Sequence, residues 1–398
     1  MKMRNFDAGR AVLALGGAEN AVSVARSLGR LGIKVYVSAS PICAAGYSRF
    51  SIDRAGLTVS GNEEEHWKKL LIDEPWKELD GAIIIALSDP GISFIEKYED
   101  KLRIRYLLER NQVRLRSRLL NKLETLRLAE QAGLEVPKTF EVPRGTDIGA
   151  AITKARYPML VKPIYSHLFQ KQFGAKLLLA SSPDEAFDIV GKSHAYGLDV
   201  MLCDWIPGPD SQLCSYYTYV DDAGQRLAEF TKFVTRRHPQ YFGGGVFHGT
   251  SWQPNVAETG RRFVASIGMK GICNIEFKRD LRDGSLKVIE SNPRMTAAQE
   301  LLVRCGLDFA ELTYRDLTNQ EVQVTNGEDY RYGQTYWYPR TDFAAFRAMR
   351  KKKEMTWPQW IRQVSRRHVY PYFKLNDPMP TIVRIFRLIR GKIAKTFK

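Results

Sequence analysis

Two carboxylates and two amides occupy matching positions in a predicted β-hairpin. Runs of alternating apolar residues lie on either side of residues 283–284, an Asp-Gly pair of the type that forms tight turns. If the two strands pair symmetrically about residue 283, Glu276 lies opposite Glu290, and Asn274 lies opposite Asn292. Because successive side chains of a strand point to opposite faces, these four residues share one face. The other face is predicted to be apolar and to pack into a core through Cys273, Ile275, Phe277 and Ile289.

The opposed glutamates require a positively charged neighbour. Directly paired carboxylates on adjacent strands lie about 5 Å apart and repel each other. A hard cation would relieve this repulsion, and Mg²⁺ is commonly held by one or two carboxylates together with phosphate oxygens. The alternative is a solvated hairpin face on which Lys278 or Arg294 neutralises the carboxylates. The metal is favoured by Pro293, which stops the hydrogen-bonded ladder and directs the Arg294 guanidinium to where it could meet a phosphoryl oxygen.

The motif Glu-Ser-Asn-Pro-Arg at positions 290–294, with a glutamate upstream at position 276, resembles the second carboxylate motif of the ATP-grasp superfamily. The resemblance implies that Glu276, Glu290 and Asn292 hold Mg²⁺, or Mn²⁺, against the phosphates of ATP. It also implies that Arg294 contacts the transferred phosphoryl group or an acyl phosphate. Within the superfamily, the chain looks like carboxylate-amine ligases and biotin-carboxylase-related ATP-dependent carboligases, and it has some resemblance to D-aspartate ligases.

Two lysines match phosphate-binding positions of the superfamily. Lys122 opens a predicted helix, and Lys162 stands at the exit of a short buried strand. By themselves, both are typical of ordinary solvated lysines. The resemblance implies that Lys122 lies near the nucleotide phosphates and that Lys162 contacts the α and β phosphates as a point charge. The polar loop at 166–176 contains one glycine, so Lys171 and Lys176 are expected to replace the backbone contacts of glycine-rich versions.

The segment after another predicted strand resembles the hinge that pairs with adenine in the superfamily. The resemblance assigns that role to backbone groups of Cys203, Asp204, Trp205 and Ile206. Family members more often have Gln-Glu where this chain has Cys203-Asp204, which affects the side-chain contacts more than the backbone ones. Asp210 resembles the acidic position that accepts hydrogen bonds from the ribose hydroxyls. The alternative for Asp210 is an ordinary turn-forming aspartate.

A glycine triplet at 243–245 follows a predicted strand that brings Lys232, Arg236 and Arg237 towards it. Consecutive backbone N–H groups of such a segment can cradle an anion, or the segment can be a mobile loop. We favour a loop on the side of the acceptor substrate. His248 lies just beyond the triplet, and no accompanying pattern marks it as a catalytic base.

Length and patterning predict several domains. A chain of 398 residues with 44% hydrophobic residues is too long for one ordinary core. The predicted fold class is α/β, with an α+β ATP-binding part, in an ATP-grasp arrangement. The domains are a Rossmann-like domain at 1–112, an ATP-grasp domain at 113–330 with a lid at about 135–205, and a basic helical extension at 331–398. The family resemblance covers roughly residues 10–320.

The net charge of +16 is concentrated near the C-terminus. From Arg331 onward there are 17 Lys and Arg against 3 Asp and Glu, and the rest of the chain is nearly neutral. Residues 379–398 form a predicted amphipathic helix with Ile382, Ile385, Phe386, Ile389 and Ile393 at helical spacing. Such a cationic helix can lie on an anionic membrane, bind another polyanion, or dock on the protein's own core. No nucleic-acid-reading motif accompanies the charge, so no specific nucleic acid is predicted.

Other features bear on the compartment. The chain lacks an apolar run of about 20 residues, and its first ten residues do not resemble a secretory signal. Its five cysteines are scattered and odd in number, which argues against a disulfide framework or a zinc site. These features predict a cytoplasmic protein, with peripheral attachment to the inner face of the cell membrane as an alternative that depends on the basic helix. They do not indicate an oligomeric state.

The predicted function is that of an ATP-dependent carboxylate-amine ligase. Such an enzyme activates a carboxylate as an acyl phosphate and joins it to an amine, releasing ADP and phosphate. One alternative keeps the fold and changes the acceptor, as in a carboxylase or an acid-thiol ligase. The other is a protein that binds a membrane or polyanion and uses ATP structurally or as a regulator.

Overall fold

A computed structural model describes residues 7–109, 114–164, 169 and 172–396, with side chains as far as residue 390. The strands are β1 (Val12–Leu15), β2 (Val35–Ser38), β3 (Ile83–Ala86), β4 (Leu107–Leu108), β5 (Thr139–Val142), β6 (Met159–Pro163), β7 (Leu178–Ala180), β8 (Val200–Asp204), β9 (Leu213–Val220), β10 (Arg226–His238), β11 (Gly244–Thr250), β12 (Gly271–Arg279), β13 (Leu286–Asn292) and β14 (Thr335–Trp337).

The α-helices are α1 (Glu19–Arg30), α2 (Glu63–Lys68), α3 (Asp89–Lys97), α4 (Glu99–Arg103), α5 (Leu115–Leu120), α6 (Lys122–Gln131), α7 (Ile148–Lys154), α8 (Pro183–Ala195), α9 (Pro254–Ser266), α10 (Gln299–Cys305), α11 (Phe309–Leu317), α12 (Pro339–Lys351), α13 (Trp357–Val364) and α14 (Met379–Thr396).

The N-terminal sheet is parallel, with strand order β2-β1-β3-β4. The residues of β1, β2 and β3 are buried throughout, as expected of parallel strands that are covered on both faces. Gly16 ends the first strand with a positive φ of 74°, and a Cβ there would lie 2.1 Å from the Ser88 hydroxyl. The close approach of two loops at the carboxyl edge of this sheet therefore requires a glycine.

A smaller antiparallel sheet, with order β5-β8-β6-β7, forms the part of the chain predicted as the lid. The apolar residues of α7 and α8 pack against it in a core of its own. The sheet holds Lys162 near the end of β6 and Asp204 at the end of β8.

The large sheet has the order β13-β12-β9-β10-β11-β14, and its strand pairs are antiparallel. One face packs on α9 through a core that includes Cys273, Ile275, Phe277 and Val288. The other face packs partly against α10, α11 and the N-terminal domain. The remainder of that second face opens into a cavity, which the candidate residues line.

The β12–β13 hairpin has the predicted register at its functional end. Glu276 pairs with Glu290, and Asn274 pairs with Asn292. The register then shifts by one residue between Glu276 and Phe277, so that Phe277 pairs with Val288. The prediction that Ile289 faces the core is therefore wrong, because the bulge places Ile289 in the cavity lining and gives its core position to Val288.

The C-terminal extension is an integral part of the fold. Its strand β14 pairs with β11 at the edge of the large sheet, so a boundary at residue 330 separates this strand from the sheet to which it belongs. The helix α12 begins at Pro339, and its Asp342 forms a buried ion pair with Arg236 of β10. In the described part of the chain, no helix is long and apolar enough to cross a membrane.

Candidate active site

A cavity of about 1720 Å³ lies among the three sheets and the C-terminal extension. It brings together most of the residues that the sequence singled out. The predicted residues in its lining are Lys122, Lys162, Asp204, Trp205, Ile206, Glu276, Glu290, Asn292 and Arg294. Two others, Cys203 and Asp210, lie outside the lining.

The Glu276–Glu290 pair is the acidic centre of the cavity. Lys122, at the start of α6, donates a hydrogen bond of 2.7 Å to Glu290 Oε1. Burial alone would raise the pKa of Glu290, but Lys122 at that distance, with Lys176 and Lys162 farther away, lowers it to about 2. Glu290 therefore stays ionised at neutral pH although a second glutamate is its direct neighbour across the strands.

The residues present fit a magnesium ion. Asn292 donates from Nδ2 to Asn274 Oδ1 at 3.3 Å, so its own amide oxygen is the atom that a cation would take. Among the described residues, no cluster of three or more His, Cys, Asp or Glu side chains could hold a metal. Two carboxylates and one amide leave several coordination positions to water and phosphate, which is the usual arrangement for Mg²⁺. The metal role of Glu276, Glu290 and Asn292 stays a prediction.

Arg294 bridges to the N-terminal domain. Its Nε donates to Asp89 Oδ1 at 2.7 Å, and both side chains line the cavity. The turn before it is fixed by the buried Arg116 guanidinium, which donates to the Pro293 carbonyl oxygen at 2.6 and 3.1 Å. Arg294 would have to exchange the Asp89 carboxylate for a phosphoryl oxygen to act as predicted.

Lysines from the lid approach the acidic pair from one side. Lys162 and Lys176 both line the cavity, and their charges act on Glu290 together with that of Lys122. Lys171, the other lysine predicted to cover the phosphates, lies outside the described residues. A polyanion bound beside Glu290 would therefore meet three ammonium groups and two carboxylates, which is a mixed site suited to a phosphate tail with a divalent cation.

The predicted hinge has an aromatic wall. Trp205 lies 5.4 Å from the ring of Tyr241 and 5.8 Å from that of Phe242, centroid to centroid. Lys278 Nζ donates to the Ile206 carbonyl oxygen at 2.6 Å, and burial lowers the pKa of Lys278 to about 8. The three rings are tilted against one another, by 78° for Trp205 with Tyr241 and 46° for Trp205 with Phe242, and form an aromatic patch beside the predicted hinge.

Two hinge-side residues have structural partners instead. Cys203 is fully buried in the lid sheet, where it pairs with Thr139 on one side and Leu160 on the other. The carboxylate of Asp210 accepts the Tyr241 N–H at 3.3 and 3.4 Å, and burial raises the pKa of Asp210. Their predicted contacts with adenine and ribose stay predictions, and the Asp210 contact would have to open for the ribose.

The sequence analysis assigned no role to several residues of the far wall. This wall is formed by the large sheet, α1 and the C-terminal extension, and it contains Lys232, His248, Tyr336, Tyr338, Glu19 and Arg384. Burial lowers the pKa of Lys232 although Glu276 opposes the change, and burial lowers the pKa of His248 to about 3. The sequence analysis named Lys232 only as a residue that approaches the glycine triplet at 243–245. The other residues of this wall are brought to the cavity by pairing between distant segments, such as β14 with β11.

The chain has both a curated relative and solved structures of similar fold. No family model matches the chain. A D-aspartate ligase from Enterococcus faecium is 25% identical over 244 residues, which are 59% of this chain and 58% of that protein. The chain therefore spans less than two thirds of the length of this curated relative.

Solved structures share the fold. The biotin carboxylase domain of 2-oxoglutarate carboxylase from Hydrogenobacter thermophilus, crystallised with MgADP, ADP and bicarbonate, has a TM-score of 0.63 at 16% identity, covering 83% of this chain and 74% of that one. L-amino acid ligase from Bacillus licheniformis has a TM-score of 0.58 at 17% identity, covering 83% and 79%. The predicted fold class is confirmed. The fold and the curated relative both agree with the resemblance of this chain to ATP-grasp carboxylate-amine ligases.

Proposed function

We propose that the protein is an ATP-dependent carboxylate-amine ligase. A carboxylate oxygen of the acid substrate attacks the γ-phosphorus of ATP, the bond to the β,γ-bridging oxygen breaks, and ADP leaves. The amine then attacks the carbonyl carbon of the acyl phosphate, phosphate leaves, and an amide remains. The observation that carries the proposal is the direct pairing of Glu276 with Glu290 in a cavity that also contains Lys122 and Lys162. The similarity to a D-aspartate ligase supports an amine as acceptor.

The side chains of this site supply charge and position instead of covalent chemistry. Mg²⁺, or Mn²⁺ as the alternative ion, would be held by Glu276, Glu290 and Asn292 and would neutralise phosphate oxygens. Lys162 would hold the α and β phosphates, and Arg294 would pass from Asp89 to the transferred phosphoryl group. Positioning and preorganised charge of this kind supply most of the acceleration in phosphoryl transfer.

Phosphate release with candidate acids and amines tests this proposal. Glu290→Gln keeps the side-chain shape and removes one metal-binding charge, so ADP release should fall by about 10²-fold or more. Glu258→Gln on the exposed surface of α9 is the matched control, because its side chain is 65% exposed and lies outside the cavity lining. Undiminished ADP release by the Glu290 variant would reject the ligase assignment.

The alternative acceptors can be separated in the same assay. A carboxylase would form its acyl phosphate from bicarbonate, and an acid-thiol ligase would require a thiol in place of the amine. Hydroxylamine traps an acyl phosphate in all cases, so the acceptor has to be identified from the product. An amide product identified by mass spectrometry would support the ligase, and a thioester or a carboxylated product would support the alternatives.

The exposed face of α14 favours a second role. Ile382, Ile385, Phe386 and Ile389 are each between 51% and 57% exposed, and Arg384, Arg387 and Arg390 share the helix. We infer that this helix lies on an anionic membrane surface, which would place the enzyme peripherally on the cytoplasmic side. Apolar burial combined with attraction to anionic lipids accounts for such binding.

Sedimentation with vesicles tests the membrane role. Vesicles with 30% phosphatidylglycerol should bind the protein, and neutral phosphatidylcholine vesicles should bind it much less. The double variant Ile385→Asn, Phe386→Asn should lose binding, whereas Leu375→Asn, at an 87% exposed position outside the helix, should keep it. Charge-dependent binding that survives the double substitution would indicate a polyanion-binding surface instead.

A further inference from the structure

The helical hairpin formed by α12 and α13 has an aromatic cluster that is only partly covered. Phe346 is fully buried, and its ring lies 4.6 Å from that of Trp357 and 4.9 Å from that of Trp360, centroid to centroid. Phe343 joins the cluster at 5.6 Å from Trp360. Phe343 and Trp357 are nevertheless 40% exposed each, and Ile361, one turn after Trp357, is 52% exposed. We call Phe343, Trp357 and Ile361 the hairpin patch.

Contacts on the inner side of the hairpin keep this patch on the outside. The indole N–H of Trp360 donates to Asp342 Oδ2 at 2.9 Å, and Gln363 accepts a hydrogen bond from Arg236. Asp342 and Arg236 form the buried ion pair that attaches the hairpin to β10. Residues two positions apart point to nearly opposite sides of an α-helix, so Ile361 faces away from Gln363. In the described structure, α13 has no buried residue, and these inner contacts prevent it from turning its apolar side inward.

Unpaired cations flank the hairpin patch. The guanidinium carbon of Arg350 lies 5.4 Å from the centre of the Trp357 ring. Phe343, Arg347 and Arg350 fall on one side of α12, because successive spacings of four and three residues keep side chains in line. No carboxylate of the described chain forms an ion pair with the exposed basic residues of the hairpin, which are Arg347, Arg350, Lys351, Lys353 and Arg362. The surface therefore fits a partner that is both apolar and anionic.

An anionic bilayer offers both properties. Tryptophan is enriched at the membrane–water interface, aliphatic side chains enter the boundary of the acyl chains, and Lys and Arg are attracted to anionic headgroups. The helix already proposed to bind a membrane has a similar composition, since α14 exposes Phe386 beside the guanidinium group of Arg390. Both elements border the same cavity, because Thr341 of α12 and Arg384 of α14 are in its lining. These observations favour a bilayer over an acidic protein as the partner.

We propose that the hairpin patch is a second membrane-binding surface, separate from α14. Trp357 and Ile361 enter the interface of an anionic bilayer, and Arg347 and Arg350 bind lipid phosphates. The inference goes beyond the ligase function and does not depend on it. Once one of the two surfaces is bound, the other meets the bilayer at a high effective concentration, so the pair binds more tightly than either surface alone. Two points of contact also fix how the protein is oriented on the membrane.

Tryptophan fluorescence of the full chain on vesicles tests this inference. The vesicles contain 30% phosphatidylglycerol in phosphatidylcholine with brominated acyl chains, because bromine quenches tryptophan only at close range. Such vesicles should quench part of the wild-type emission, and Trp357→Phe should lose most of that quenching while still binding. Trp76→Phe is the matched control, since Trp76 belongs to the N-terminal domain, where the guanidinium group of Arg54 lies 4.2 Å from its ring centre. This control should keep the quenching.

Sedimentation with the same lipids, without bromine, measures the contribution to affinity. Ile361→Asn should weaken binding by about tenfold, because the apolar side chain no longer gains from burial in the interface. Ile104→Asn makes the same substitution at an 81% exposed position of the N-terminal domain and should leave the affinity unchanged. Arg347→Gln with Arg350→Gln should weaken binding to anionic vesicles and reduce its dependence on salt. Both isoleucines are exposed, so neither substitution should unfold the protein.

Three results would overturn the inference. Quenching that is equal in wild type and Trp357→Phe would remove the patch from the bilayer and leave an acidic protein as its alternative partner. Equal vesicle affinity of wild type and Ile361→Asn, with binding lost in Ile385→Asn, Phe386→Asn, would assign membrane binding to α14 alone. A wild-type protein that binds no anionic vesicles would reject both membrane surfaces. None of these results would affect the ligase proposal, which is tested by ADP release in the absence of lipid.

Discussion

Two carboxylate–cation pairs on the large sheet differ in how completely their hydrogen bonds are satisfied. Asp342 accepts from Arg236 Nε at 2.6 Å and Nη2 at 3.1 Å, and from the indole N–H groups of Trp337 and Trp360 at 2.9 Å each. Both side chains of that ion pair are 1% exposed or less. Glu290 accepts one hydrogen bond from Lys122, and its side chain is 38% exposed towards the cavity.

The difference separates a structural ion pair from a binding one. The Arg236–Asp342 pair uses its donors and acceptors within the protein, since Arg236 Nη1 also donates to Gln363. It attaches the C-terminal extension to the sheet and has little capacity for a ligand. Glu290 keeps lone pairs available beside a second glutamate, and a carboxylate in that state can take a cation. Charged side chains whose hydrogen bonds are all made within the protein stabilise the fold, whereas charged side chains with remaining hydrogen-bonding capacity line the candidate site.

The largest effect on stability is expected at the Arg236–Asp342 ion pair, whose hydrogen bonds are made within the protein. Asp342→Ala would leave the Arg236 guanidinium buried without its carboxylate, and breaking a buried pair in this way costs about 3–5 kcal/mol. Chemical denaturation should show a free energy of unfolding lower by that amount. A loss below about 1 kcal/mol would mean that the two pairs do not differ as described.

A pH-dependent effect is expected at His248. Folding lowers the pKa of His248 from about 6.5 to about 3, so the unfolded chain binds more protons between these values. The stability contributed by neutral His248 is complete above pH 6.5 and is lost as the pH falls towards 3. When the pH falls from 7 to 5, the free energy of unfolding of the wild type should decrease by up to about 2 kcal/mol more than that of His248→Phe. Parallel pH profiles of unfolding free energy would contradict this.

A smaller change in stability is expected at the Lys122–Glu290 ion pair. Lys122→Met removes the partner of Glu290 at a partly exposed site, so the unfolding free energy should change by no more than about 1 kcal/mol. The affinity for MgADP should nevertheless fall, by about tenfold, because one phosphate-facing charge is lost. Calorimetric titration measures the second quantity. A large loss of stability with unchanged MgADP affinity would mean that the Lys122–Glu290 pair stabilises the fold and does not bind the nucleotide, which would contradict the comparison.

The smallest effect is expected at a surface pair. Asp188 and Lys192 form an i,i+4 ion pair on α8, with side chains that are 62% and 61% exposed. Solvent and salt screen such a pair, so Asp188→Ala should change the unfolding free energy by about 0.5 kcal/mol or less. The result provides the baseline for the Asp342 measurement. A loss comparable to that of Asp342→Ala would show that burial does not explain the difference.

Much of the β12–β13 hairpin could be predicted from local signals. An Asp-Gly turn and a period of two set the register that pairs Glu276 with Glu290. The bulge at Ile289 could not be predicted in the same way, because it is decided where β13 meets its neighbours and not by the turn. The start of a helix could also be predicted, since α6 begins at Lys122 as expected.

The hydrogen-bond partners of the candidate side chains were harder to predict from the sequence. Arg294 was expected to face a phosphoryl group, and it is bonded to Asp89, which lies 205 residues away in the chain. Asp210 was assigned to a ribose or a turn, and its carboxylate accepts the N–H of Tyr241. Such pairings depend on contacts between segments that are distant in the chain, and the residue types alone do not encode a unique partner.

The sequence by itself determined the pairing of two glutamates, the positions of Lys122 at a helix start and Lys162 near a strand end, and the resemblance to the ATP-grasp superfamily, because turns, strand periodicity and short motifs act over a few residues. The tertiary structure alone decided that β14 completes the large sheet, that Asp342 forms a buried ion pair with Arg236, and that Lys232 and His248 line the same cavity as the two glutamates. Those outcomes depend on burial and on contacts between residues far apart in the chain, where several alternatives of equal local preference exist and packing selects one.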